Sequence, residues 1–324
     1  MMNAKHQLPQ LNGGLFLTDG GIETTLIFLE GLELPQFAAF HLLRDEKGTE
    51  ALRSYYRRHA SIARDKGVGF ILESATWRAS ADWGEKLGYR PEALDEANRK
   101  AIALLHGLKA ELEILSSPMV VSGCVGPRGD GYEPGRIMRP AVAEAYHARQ
   151  IGIFAEMGVD LVTAITMTNI HEAIGVTRAA QAAGLPVVLS FTVETDGRLP
   201  TGDTLQDAIE TIDLVTNGAP SYYMINCAHP CHFDHILTEG AWLERVRGIR
   251  ANASKCSHAE LNEATELDDG DPAELASHYR ELRRRLPHLN VLGGCCGTDH
   301  RHIEQICEAC FSEPGDPMRH GVAA

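Results

Sequence analysis

Short runs rich in Val, Ile, Leu and Gly alternate along this chain with longer stretches whose apolar residues recur every three or four positions. The short runs lie at 15–19, 69–74, 119–123, 160–165, 186–191, 222–226, 248–252 and 290–294. Most are nearly continuous in apolar residues, as expected of strands covered on both faces. Helical periodicity fills 51–66, 91–115, 140–157, 169–183, 204–217, 233–247, 272–286 and 299–311. Pro91 suits a first helical turn, and Gly67 suits the position just past a helix end. Eight strands, each followed by a helix, predict a single-domain (β/α)8 TIM barrel over residues 1–324. An open doubly wound sheet is the alternative, but no G-x-G-x-x-G opens an early helix. The longest irregular stretches, 74–90, 123–139 and 251–271, all follow predicted strands. They therefore belong on the C-terminal rim, where barrel enzymes build their sites.

Composition narrows the function classes. With 324 residues, 44% hydrophobic and 23% charged, the chain has the balance of a globular enzyme. A formal net charge of −14 argues against nucleic acid or an anionic membrane as partner. No apolar stretch approaches the roughly 20 residues of a membrane span. Residues 1–12 are polar and lack the apolar core of a secretory signal. Eight cysteines in a chain of this length do not read as a secreted disulfide scaffold. A cytoplasmic, reducing setting is expected, with thiols free for metal.

Three of those cysteines carry the chemistry. Cys227 ends one strand in Met-Ile-Asn-Cys, and Cys295-Cys296 end another in Gly-Gly-Cys-Cys-Gly. Adjacent cysteines seldom bond to each other, because the ring is strained, but both can bind one metal. A third thiolate from another strand completes a Cys₃ zinc site whose fourth position stays open, the pattern of a catalytic zinc. Barrel closure places the ends of strands six and eight on the same rim. Small buried cysteines at strand ends are the plainer alternative.

Taken together, these residues resemble the zinc-dependent homocysteine S-methyltransferase family, which includes betaine- and S-methylmethionine-using members. The resemblance runs from Leu17 to about Ile306. It rests on Thr18-Asp19-Gly20-Gly21, Ser122-Gly123-Cys124-Val125-Gly126-Pro127, Ile225-Asn226-Cys227 and Gly293-Gly294-Cys295-Cys296-Gly297. It implies that Cys227, Cys295 and Cys296 bind Zn²⁺ and that a substrate thiol takes the fourth position as thiolate. A methyl group then passes from a small sulfonium or quaternary ammonium donor, with homocysteine yielding methionine. The resemblance also places Asp19 near the homocysteine amino group and backbone around Gly20 near its carboxylate. By itself, Asp-Gly-Gly is equally a turn signal. Relatives carry an Asn-containing loop after strand seven, so the resemblance implies substrate contact by Asn252 and Ser254, with solvated loop residues the equal alternative.

Two departures bear on the acceptor. Many members carry a glutamate at the end of strand four, where this chain has Ile165. Many have a Thr-Asn-Thr-like run after strand two, where this chain reads Glu73-Ser74-Ala75-Thr76-Trp77. Either Glu73 replaces the missing acid, or the acceptor is a thiol or selenol without an amino group. A metallohydrolase is disfavoured by an all-thiolate ligand set. A non-catalytic zinc- or thiol-binding barrel is the remaining class. His229 and Cys231 could build a local metal site, but that leaves Gly-Gly-Cys-Cys-Gly unexplained. Cys307 and Cys310 read as core-facing helix neighbours, and Cys256 and His258 as loop residues. Trp77, Trp83 and Tyr132 sit on rim loops, as a cover for the barrel mouth or a cation–π surface for the donor.

Overall fold

The computed structural model describes residues 8–311, so the reading of 1–7 as part of a polar leader-free start lies outside it. Eight parallel strands close a barrel in sequence order. They are β1 Phe16–Leu17, β2 Gly69–Glu73, β3 Met119–Val125, β4 Leu161–Met167, β5 Val187–Phe191, β6 Tyr222–Asn226, β7 Val246–Ala251 and β8 Val291–Gly294. Closure comes from β1 pairing with β8, Phe16 opposite Val291 and Leu17 opposite Leu292. Every predicted strand is present. β1 is shorter than expected, and β4 runs two residues further, through the rim position Thr166.

Seven long helices pack outside: α1 Glu46–Lys66, α2 Pro91–Leu112, α3 Pro140–Glu156, α4 Ile170–Ala182, α5 Leu205–Thr216, α6 Pro272–Arg285 and α7 His300–Phe311. Their ends follow local chemistry. Asp45 accepts from Gly48 N–H at the start of α1, and Gly67 stops that helix with a φ of 69°. Asn169, Thr204 and Asp271 cap α4, α5 and α6 in the same way.

The expected helix at 233–247 does not form. One turn spans Pro230–Phe233, 3₁₀ turns follow at Asp234–Ile236 and Ala241–Arg245, and β7 begins at Val246. Its apolar residues do recur at helical spacing. The backbone nevertheless turns at Gly240, whose φ of 118° no helix allows. Phe233, Leu237, Trp242 and Leu243 are buried all the same, so the segment packs without being one helix.

The barrel lumen explains why strands that look uniformly apolar hold a site. Phe16, Ile71, Val120, Leu161, Val188, Tyr222, Met224 and Val291 fill its lower layer, closed from below by Leu8. Side chains two positions on point the same way. That step takes the lumen from Ile71 to Glu73, Val120 to Ser122, Leu161 to Thr163, Val188 to Ser190 and Met224 to Asn226. The floor is dry and the mouth is polar. Near the mouth, Tyr279 of α6 ties two strands together: its hydroxyl donates to Gly293 C=O (2.6 Å) and accepts from Ala251 N–H (2.7 Å). Among the described residues no helix is long and apolar enough to cross a membrane.

Tyr279 is fully buried, so Tyr279→Phe strands a carbonyl and an amide that water cannot reach. The expected loss is about 1–3 kcal/mol of unfolding free energy, read from the midpoint of urea denaturation.

Candidate metal centre and active-site cavity

A cavity of about 370 Å³ opens at the C-terminal rim. Its wall holds Asp19, Gly20, Glu73, Ser74, Cys227, Cys295 and Cys296, drawn from the ends of β1, β2, β6 and β8. The ligand atoms of the three cysteines lie within 4.8 Å of one another, with Cys227 Sγ 3.6 Å from Cys296 Sγ. Zinc with Zn–S bonds of about 2.3 Å would set tetrahedral ligands about 3.8 Å apart. The donor set and its spacing therefore fit that ion.

Backbone geometry aims these thiols. Cys227 has a φ of 57° and Thr166 one of 63°, conformations that side chains with a Cβ rarely adopt. Asn226 holds both in place. Its Oδ1 accepts from Thr166 N–H (3.0 Å) and Ser190 Oγ (2.7 Å), while Nδ2 donates to Thr166 Oγ1 (2.8 Å) and faces Cys295 Sγ at 3.8 Å. His258 donates from Nε2 to the Cys227 carbonyl at 2.7 Å. Its ring stacks on Tyr132 with centroids 4.0 Å apart. The Tyr132 hydroxyl lies 3.3 Å from Cys227 Sγ and 3.7 Å from Cys296 Sγ. Hydrogen bonds from Cys227 and Cys296 hold the Cys295 thiol well below its ordinary pKa, helped by the Arg250 charge. The same sharing pushes Cys227 up.

The two glycines after Asp19 are required by packing. A Cβ on Gly20 would stand 2.8 Å from the Thr298 carbonyl oxygen, and one on Gly21 2.5 Å from that of Cys295. The β1 loop therefore lies flat against the loop that bears the vicinal cysteines.

Asp19 lines the cavity, but its oxygens are engaged. Oδ1 accepts from Arg250 Nη2 at 2.7 Å, and Oδ2 lies 3.0 Å from the Tyr55 hydroxyl. Glu73 Oε1 accepts from Thr163 Oγ1 (2.8 Å), and burial raises the Glu73 pKa against the pull of Arg250. Ser74 spends its hydroxyl on Cys124 N–H (2.9 Å) and Thr76. Asn252 is buried outside the lining, with Oδ1 unpaired, whereas Ser254 reaches the cavity and donates to Asp268 (2.5 Å). Ile165 and Trp77 line the wall together, the indole N–H donating to the Ile165 carbonyl at 3.3 Å. Trp83 is buried away from the cavity, under the Arg78 guanidinium. Cys307 and Cys310 are fully buried core residues. His229 Nδ1 meets Cys231 (3.0 Å) at a helix start, not at the thiol cluster.

Sequence reading missed several charged wall residues, Arg250 and Glu23 among them. Arg250 is the single charge among the β7 residues that continue the inward pattern, and that was its signal. Glu23 lies two residues after Gly21 and lines the cavity with Trp77, Phe28 and Phe37. Burial, reinforced by the Cys295 charge, raises its carboxyl from 4.5 to about 7.

An α/β barrel with three convergent thiols beside a cavity on its C-terminal rim defines a class of protein with the donor set to hold a metal there. A homocysteine S-methyltransferase family profile matches residues 16–310, and the chain belongs to that family. Betaine–homocysteine S-methyltransferase 1 of Mus musculus is 25% identical over 188 residues, 52% of this chain and 44% of the relative. Homocysteine S-methyltransferase 3 of Arabidopsis thaliana is 25% identical over 207 residues, 61% of this chain and 59% of the relative. The matched stretch thus spans about half the length of these two curated relatives. Among solved structures, the Escherichia coli homocysteine methyltransferase MmuM superposes with a TM-score of 0.70 in its oxidized form, at 18% identity, over 93% of this chain and 99% of that one. Its metallated form superposes at 0.66, also at 18% identity, over 91% of this chain and 95% of that one.

Glu23 binds its proton more tightly in the folded chain than in the unfolded one. Its favourable contribution is complete below pH 4.5 and is lost as pH rises through about 7. Glu23→Gln is expected to raise the melting temperature of the metal-free protein at pH 8 and to leave it nearly unchanged at pH 4.5.

Proposed function

We propose that this chain is a zinc-dependent thiol S-methyltransferase that methylates homocysteine to methionine. The observation that carries this reading is the convergence of Cys227, Cys295 and Cys296 on the wall of the cavity at the C-terminal rim, in a chain of the homocysteine S-methyltransferase family. An ordinary alkyl thiol has a pKa near 8.5, so little of it is nucleophilic at neutral pH. Bound zinc would favour its thiolate form, and three protein thiolates as ligands would keep that sulfur electron-rich.

The chain's own residues supply the rest. Asp19, Gly20, Glu73 and Ser74 border the acceptor side, with Asn252 behind the wall. Trp77, Phe28 and Phe37 line the wall with Glu23, a surface suited to a cationic sulfonium or quaternary ammonium donor such as S-methylmethionine or a betaine. The acceptor sulfur attacks the donor methyl carbon in line. A new S–CH₃ bond forms as the donor's C–S or C–N bond breaks, and the bonding pair returns to the donor heteroatom and discharges it. No protein residue carries the methyl group. Three thiols kept reduced suit a cytoplasmic setting.

Zinc content and methionine formation from homocysteine and S-methylmethionine test the reading. The expected result is about one zinc per chain with turnover, both lost in Cys295→Ala. Zinc bound without turnover of any sulfonium or ammonium donor would favour a non-catalytic metal-binding barrel. A reduced, folded protein that binds no zinc would overturn the mechanism.

A further inference from the structure

Among the described residues no side chain hydrogen-bonds to or ion-pairs with the Glu23 carboxylate, which lines the cavity. The charge of Arg78 reaches it, but that guanidinium is committed elsewhere. Arg78 Nη2 pairs with Asp130 at 3.0 Å, and Cζ lies 3.9 Å from the Trp83 ring centroid. Arg250 is likewise held by Asp19 at 2.7 Å. Among its described residues the wall sets six carboxylates, of Asp19, Glu23, Glu73, Asp130, Glu266 and Asp268, against these two guanidiniums. The surplus is negative, and neither guanidinium is free for a ligand's carboxylate. Two phenyl rings stand at the same wall, Phe28 and Phe37, each 43% exposed. Irregular backbone places both. Phe28 lies in a π-helical turn, Thr25–Leu29, closed by Glu30 N–H donating to the Thr25 carbonyl at 3.1 Å. Gln36 and Phe37 have φ of 57° and 54°, two consecutive left-handed residues that bear a Cβ. Apolar rings held out of the core beside an unpaired carboxylate suit an onium centre, whose methyl groups meet the rings while its charge meets the acid.

Resting on the methyltransferase reading above, we propose that Glu23 selects the methyl donor by net charge, its carboxylate facing the onium centre with Phe28 and Phe37 against the methyl groups. The preferred donor is a net cation, such as the sulfonium of an α-amino acid, whose own ammonium offsets its carboxylate. A betaine-type donor, with one onium and one carboxylate, is disfavoured. Its carboxylate would meet the negative surplus with Arg78 and Arg250 both taken. Charge also gives product release a direction. As the methyl group leaves, the bonding pair returns to the donor heteroatom, and the donor loses its positive charge and its attraction to Glu23. That charge is already dispersing in the transition state, so Glu23 holds the bound donor more tightly than the transition state. It therefore sets donor affinity and selectivity, not the rate of the bound complex.

Calorimetric titration of the zinc-loaded protein with matched oniums tests this, at pH 8, above the Glu23 pKa of about 7. Dimethyl(2-hydroxyethyl)sulfonium is set against dimethylsulfoniopropionate, and choline against glycine betaine. Each pair shares an onium centre and differs in carrying a carboxylate. The net cation of each pair is expected to bind at least about tenfold more tightly than its zwitterion. Glu23→Gln, which conserves volume, should shrink that ratio to within about threefold, and Glu23→Asp should keep part of it. In turnover with S-methyl-L-methionine and homocysteine, the loss in Glu23→Gln should fall on the donor KM rather than on kcat. Equal affinity within each pair for the native protein would overturn the selection and leave the methyltransferase reading standing. So would a ratio that Glu23→Gln leaves intact. No methyl transfer to homocysteine from S-methyl-L-methionine, dimethylsulfoniopropionate or betaine would overturn that reading and the selection with it.

Discussion

Closure of the parallel barrel through the β1–β8 pair is the constraint on which the site depends. In a parallel closed sheet every strand ends on the same rim, and β8 sits between β1 and β7. Cys295 and Cys296 therefore emerge between Asp19 on one side and Arg250 on the other, with Cys227 one strand further round. The loops that carry Asp19 and the vicinal cysteines touch so closely that glycines 20 and 21 are the only residues that fit between them. A half-formed barrel would own every one of these residues and no site.

The charge balance at the mouth follows from that closeness. Arg250 and Asp19 make a buried ion pair at 2.7 Å, and removing one partner of such a pair typically costs about 3–5 kcal/mol. Glu73 stands 3.9 Å away as a second acid, and burial rather than a partner sets its proton affinity. Losing Arg250 or Asp19 alone would therefore leave its partner uncompensated in the lumen. The lower layer of apolar side chains makes this possible by keeping water out from below. The same polar layer extends to Thr163, which donates to Glu73, and to Ser190 and Asn226, which are bonded to each other, with Asn226 facing Cys295 Sγ.

Strain is concentrated where the chemistry is. Thr166 and Cys227, both in the left-handed region, flank the Asn226 side chain that binds the one and precedes the other. The extra length of β4 ends in that strained turn, and the register of β4 against β5 shifts there, between Ala164 and Met167. Neither residue would hold its conformation in isolation. The hydrogen bonds of Asn226 and the His258 grip on the Cys227 carbonyl overdetermine it, so the Cys227 thiol is aimed by the fold before any ligand binds.

Much of this was legible in the chain as written. Eight apolar runs, each followed by a helical period, specify the barrel, because burial on both strand faces leaves that imprint in composition. Gly-Gly-Cys-Cys-Gly and Asn-Cys at strand ends mark the three thiols that converge on the rim, because few other uses need vicinal thiols beside glycines. Where periodicity competed with backbone geometry it misled: the apolar spacing at 233–247 is helical, yet Gly240 turns the chain and the apolar residues pack from 3₁₀ turns. Asp19 was visible as a site residue, but its engagement by Arg250 and Tyr55 was not. Those partners are 231 and 36 residues away in sequence, and only closure of the barrel brings them together. The residue types and their order determined the fold and which thiols could meet. Which acids are paired, and with what, was decided in three dimensions, because electrostatic and hydrogen-bond partnerships depend on distance, which the one-dimensional pattern does not record.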